Sequence, residues 1–193
     1  MIKQNPIAID ILRELMNMGV GKAANSLNQL FGTHIEFTIP WINFYGGQGI
    51  LSKWKECEEL NTAVEMKFNG DLTGTALLCF KRDDVKKIFN GILSGVAPED
   101  LEITQDSALS EVGNIVINAV TGSISNIAEA QIEYQIPQIV KNFENKQFLS
   151  NQTEVICLGA NFQFQEQKVN SLIMLSFEEY SLGTMIGELV NKF

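Results

Sequence analysis

The chain has 193 residues, enough for one large domain or two small ones packed together, and its 45% hydrophobic content supplies ample material for a core. A net charge of −9 argues against the clustered Lys and Arg that phosphate backbones require, so nucleic acid is not an expected partner. No stretch approaches the roughly 20 apolar residues of a membrane span, so no membrane association is expected, and Met1-Ile2-Lys3-Gln4-Asn5-Pro6 has no secretory h-region, so the expected location is the cytoplasm.

Asn5 and Pro6 form a good N-cap and first-turn pair for an opening helix. Stepping about 100° per residue from Asp10 puts Glu14 and Asn17 on one narrow face, continued by Gly21, Ala24 and Asn28. Leu12, Leu15, Met16, Gly19, Ala23, Leu27 and Leu30 cluster opposite, as a stripe to be buried. His34, the single histidine, precedes a strand over 35–40 that alternates apolar and polar residues and ends at Pro40. A loose connection containing Gly46-Gly47-Gln48-Gly49 leads to two strands, around 63–68 and 75–80, paired across Asn69-Gly70-Asp71. A helix over 83–93 closes this half, and residues 94–99, with Gly95 and Pro98, join it to the next.

The second half runs in the same order. Thr104 is a plausible cap for a helix on which Ser107, Glu111 and Asn114 share a face, continued by Asn118, Thr121 and Ser125. Leu109, Val112, Val116, Val120 and Ile124 lie opposite. A strand over 132–137 ends at Pro137; a loose stretch over 141–152, strands over 155–164 and 171–177, and a helix over 179–191 follow. The expected fold is α+β. Two pseudo-two-fold duplicated α-β-β-β-α halves, about 1–97 and 98–193, form one domain with a six-stranded, mostly antiparallel sheet and packed helices.

Glu14, Asn17 and Pro40 recur as Glu111, Asn114 and Pro137, each 97 positions on, and residues 76–80 match 173–177 at the same offset. Around the motif the residues drift: Arg13 becomes Ser110 and Lys22 becomes Ala119. A single Glu-x-x-Asn on a helix is an ordinary solvated pair, but its retention in both halves points to function. The two prolines read as structural members that end or bend edge strands.

The site chemistry is limited by what is absent. Cys57, Cys79 and Cys157 are widely spaced, which fits a reducing compartment and offers no zinc spacing. A lone histidine cannot serve a Ser-His-Asp or Cys-His system in both halves. One carboxylate and one amide are too few ligands for a metal. An amide can orient water through its C=O and NH2, and a carboxylate can pair with a partner's Lys or Arg. The pair suits water positioning on a substrate already activated, such as an acyl phosphate.

Asp10-x3-Glu14-x2-Asn17-x22-Pro40 and Ser107-x3-Glu111-x2-Asn114-x22-Pro137 resemble the signature of the CheC/CheX/FliY family of response-regulator phosphatases. Two motifs in a compact chain look closest to the CheC branch. The resemblance implies a phosphatase for the aspartyl phosphate of a CheY-type response regulator in chemotaxis. Glu14 and Glu111 would each pair with the receiver's lysine, and Asn17 and Asn114 would each orient the attacking water. Asp10 and Ser107 would assist at the helix edge. The protein would need no cofactor of its own, since the Mg²⁺ belongs to the receiver. CheD is a further partner that the resemblance implies, and a monomer already carries two sites. The first site should admit a receiver more readily, because Gly21 and Ala24 are smaller than Asn118 and Thr121. The alternatives are a non-catalytic binding module for phosphorylated receivers or flagellar-switch components, and a structural pseudo-dimer with incidental polar faces.

Overall fold

The computed structural model describes residues 6–32, 34–46, 60–90, 101–141, 154–164, 167–178 and 187. Helix α1 (Pro6–Phe31) opens on a proline, whose missing N–H is no loss in a first turn. It closes where Gly32, at φ 61°, donates its N–H to the Asn28 carbonyl at 3.0 Å, the left-handed ending that glycine adopts without steric cost. The Asn28 side chain is spent locally, its Oδ1 accepting the Ile35 N–H at 2.6 Å and fixing the turn into the sheet. Of the predicted stripe, Leu12, Leu15, Met16, Gly19, Ala23 and Leu27 are buried. Leu30 is not: it is 46% exposed, one residue from the helix end and past the packed part of the stripe.

Strand β1 (Ile35–Gly46) is followed by the hairpin of β2 (Leu60–Gly70) and β3 (Gly74–Lys81) at the predicted turn, then by α2 (Arg82–Asn90), whose first turn carries Asp83 and Asp84 at the positive end of its dipole. Helix α3 (Leu101–Ala128) begins before Thr104, so Thr104 lies within its first turn rather than capping it. β4 (Ile132–Tyr134), β5 (Gln138–Lys141), β6 (Glu154–Phe164) and β7 (Gln167–Phe177) complete the described elements. The expected cap at Asn5, the glycines 47 and 49, Cys57, the joining segment 94–99, most of the connection 141–152 and the helix over 179–191 lie outside the described residues.

The sheet has seven strands rather than six, in the order β1-β6-β7-β3-β2-β4, with β5 also on β2. The extra strand comes from the edge. The strand expected over 132–137 pairs in register with β2 as far as Tyr134, Gln135 donates its N–H to the Lys67 carbonyl at 2.9 Å, and register pairing resumes at Gln138 opposite Glu65. Pro137 lies in the gap, where its missing N–H cannot join a ladder. The other edge is disturbed at the matching place, with a register shift in β1 between Thr38 and Trp41 that spans Pro40.

All the pairings are antiparallel, and each edge strand lies against a strand from the other half of the chain. At the centre Leu77 is opposite Met174, the residue 97 positions on. At the edges Ile35 faces Phe164 while Ile132 faces Gly70, and Trp41 faces Gly159 while Gln138 faces Glu65. Apolar residues of the three described helices α1, α2 and α3 join one face of the sheet in the main core. The opposite face holds a smaller cluster that includes Leu77, Cys79, Cys157 and Met174, both cysteines being buried and unbridged.

Close packing of α1 on α3 sets where their outer faces point. A Cβ at Gly19 would come within 2.7 Å of the Ala119 carbonyl oxygen and 2.9 Å of the Val120 Cα. Only a residue without a side chain lets the helices approach this closely.

Candidate functional site

With Leu12, Met16 and Ala23 fully buried, the opposite side of α1 is necessarily its solvent face, and Asp10, Glu14 and Asn17 are all exposed on it. Glu14 and Asn17 stand three residues apart, neighbours on a helix surface. Neither side chain has a hydrogen-bond or ion-pair partner among the described residues. Asp10 differs, its Oδ1 lying 3.7 Å from Arg13 Nη1 in a well-solvated pair, the kind that contributes little to stability. One turn beyond Asn17 the face is bare: nothing lies within 4 Å of where a Cβ at Gly21 would be. Met18, 44% exposed, is an apolar neighbour that the helical wheel did not single out.

On α3, Ser107 and Glu111 are exposed and Asn114 is half-buried. Asn118 stands where α1 has Gly21, and its Nδ2 donates to Asn114 Oδ1 at 2.8 Å. The Oδ1 of Asn118 is itself buried and has no hydrogen-bond partner among the described residues. The i, i+4 spacing of two asparagines is the sequence signal for this bond.

Thr121 and Ser125, expected to continue the exposed face, are instead buried. Their hydroxyls are satisfied by the helix itself, which makes burial inexpensive. Thr121 donates to the Ile117 carbonyl at 2.6 Å, and Ser125 donates to the Gly122 carbonyl at 3.2 Å. With its proton committed, Thr121 Oγ1 accepts from the Tyr134 hydroxyl at 2.9 Å. Burial pushes the Tyr134 phenol above its usual range. Thr121 therefore adds no bulk to the rim of the second motif, and Asn118 alone differs there from Gly21.

Pro40 is exposed and Pro137 half-buried. Both belong to the sheet edges, not to the helical faces, in keeping with their reading as edge-strand prolines. Asp10, Glu14 and Asn17 thus gather on one helix, Ser107, Glu111 and Asn114 on another. Lys141 Nζ, 2.8 Å from Asp106 Oδ2, ties the start of α3 to β5. Among the described residues no group of three His, Cys, Asp or Glu side chains could hold a metal, and no helix is long and apolar enough to cross a membrane. A free carboxylate and a free amide one turn apart can grip a cation and steer a water, but they offer no strong nucleophile.

The sequence matches the family described as Chemotaxis phosphatase CheX over residues 62–178, more than half of the chain, and the CheC-like family over residues 7–43. The CheY-P phosphatase CheC of Bacillus subtilis (strain 168) is 21% identical over 135 residues. That match covers 68% of this chain and 65% of the relative, just under two thirds of its length. The crystal structure of Thermotoga maritima FliY superposes with a TM-score of 0.72 at 20% identity, over 98% of both chains. A chain of the CheX–CheY–BeF3–Mg complex from Borrelia burgdorferi gives a TM-score of 0.56 at 14% identity, over 84% of this chain and 98% of that one. At these identities the two solved structures speak to the fold.

Proposed function

The chain belongs to the CheC/CheX/FliY family, and from that premise we propose that it hydrolyses the aspartyl phosphate of a CheY-type response regulator in chemotaxis signalling. The observation that carries this reading is the solvent face of α1, where Glu14 and Asn17 stand exposed, adjacent and unpartnered. Most exposed polar pairs have no such twin; here Glu111 and Asn114 repeat it on α3.

In this mechanism each glutamate pairs with the lysine of the receiver's active site and docks the helix over the phosphoryl group. The adjacent asparagine carbonyl accepts one O–H of a water, leaving the water's lone pair aimed at phosphorus in line with the bond to the aspartate. The P–O bond to the aspartyl carboxylate breaks, the carboxylate leaves, and the water's proton passes to phosphate or solvent. When bound, the receiver's own Mg²⁺ would supply positive charge to the phosphoryl oxygens. This chain contributes no nucleophile and forms no covalent intermediate. Asp10 and Ser107 act at the edges of the two faces, and Pro40 and Pro137 support the neighbouring sheet edges.

We further read the chain as a single domain of two duplicated halves, about 1–97 and 98–193. This is supported by the central pairing of Leu77 with Met174 and by the shared interruption of both edges near Pro40 and Pro137. Two sites in one chain fit a cytoplasmic monomer, with CheD as a second partner.

The test is phosphate release from a phosphorylated receiver, with the wild type and with the Glu14/Asn17/Glu111/Asn114 quadruple alanine variant. The reading expects acceleration by the wild type and none by the variant. No acceleration by the wild type sinks it, and binding of the phosphorylated receiver without turnover makes the chain a binding module instead.

A further inference from the structure

The bond between Asn118 and Asn114 has a direction that the surroundings decide. As it stands, Asn118 donates Nδ2–H to Asn114 Oδ1 and leaves its own carbonyl oxygen buried and unpaired. Turning the Asn118 amide over would bury an NH2 with two unpaired donors in place of one unpaired oxygen, a larger desolvation cost. Asn118 is therefore the donor. It holds the Asn114 amide with Oδ1 toward the next helical turn and NH2 away from it. Oδ1 keeps a second lone pair free for water. On α1 nothing comparable exists, because Gly21 has no side chain and nothing lies within 4 Å of its Cβ position.

We propose that Asn118 is a positioning residue of the second site: it sets the Asn114 amide in its water-orienting attitude before any partner arrives, whereas Asn17 must be ordered by the partner itself. This rests on the reading that Asn114 positions water. Retaining the bond means keeping Asn118 Oδ1 buried and unpaired, a cost that an apolar residue at this position would avoid.

The experiment isolates the second site in an Asn17→Ala background and measures steady-state hydrolysis of a phosphorylated receiver. Asn118→Ala is expected to lower kcat about fivefold, the scale of one net hydrogen bond, with KM unchanged because docking through Glu111 is intact. Alanine is the better helix former, so lost folding cannot account for the fall. Asn118→Asp, which only accepts, should turn the Asn114 amide round and lower kcat at least as far despite its matching size. The reciprocal change, Gly21→Asn in an Asn114→Ala background, should raise the kcat of the first site. An unchanged kcat in Asn118→Ala, with Asn114→Ala abolishing activity in the same background, overturns the proposal and leaves the phosphatase reading standing. No loss with Asn114→Ala in that background removes the reading of the second site, and the proposal with it.

Discussion

Helix α1 holds its polar pair in open solvent beside a glycine; helix α3 holds the same pair beside an asparagine that has already engaged it. Their cores differ in a parallel way. Phe37, on one edge strand, stacks on its cross-strand neighbour Phe162 with ring centroids 4.4 Å apart and planes 11° from parallel. Tyr134, at the matching position of the other edge, lies 6.5 Å from its cross-strand neighbour Phe68 and tilted by 55°, with its hydroxyl on Thr121. Where one half has Ala24 and Phe37, the other thus has Thr121 and Tyr134. A buried polar group survives only when its partner comes with it, and this pair of changes obeys that rule. The two halves share their buried stripes and their Glu-Asn pairs and differ in how the space between is filled.

Copying one helix onto the other should break the molecule where they touch. Val116 is fully buried at the α3 position that matches Gly19. Gly19→Val would drive a branched side chain into the α3 backbone, and urea unfolding should record a loss of about 3 kcal/mol. Removing both carboxylates tests the docking half of the comparison. Glu14→Ala with Glu111→Ala should cost about 2 kcal/mol in kcat/KM, mostly through KM, with a weaker salt dependence than the wild type.

The Thr121–Tyr134 exchange can be reversed in steps. Thr121→Ala alone leaves the Tyr134 hydroxyl without this bond and should cost about 1.5 kcal/mol in thermal unfolding; adding Tyr134→Phe should recover most of it. A double variant less stable than Thr121→Ala would show that the hydroxyls do not act as a pair. The smallest effect concerns the helix ends. Gly32 closes α1 at φ 61°, and at the matching position Glu129 follows α3 at φ 55°, a left-handed conformation that favours glycine. Glu129→Gly should stabilise the protein by about 1 kcal/mol, read as a rise in Tm.

Much of this was legible in the sequence because helical and strand periods report direction. The buried stripes, the solvent face with Glu14 and Asn17, the β2–β3 hairpin and the edge character of both prolines follow from spacing alone. Direction is not burial, however. Leu30 points the right way but lies past the core, and Thr121 and Ser125 point outward on a wheel yet are buried because helix carbonyls satisfy their hydroxyls. A wheel carries no rotamers either, so it could mark Asn118 as larger than Gly21 without revealing that it holds Asn114. The seventh strand is not legible because a proline in a strand pattern reads as its end; in the sheet Pro137 interrupts one instead, and pairing resumes immediately after it.

The account holds that each helix carries its own water-positioning asparagine. The direct measurement is the decay rate of a phosphorylated receiver in the presence of Asn17→Ala, Asn114→Ala and the double variant. Each single variant should keep part of the wild-type acceleration, and the double should lose about 100-fold, falling toward the receiver's own rate. Wild-type acceleration in the double variant would contradict the account.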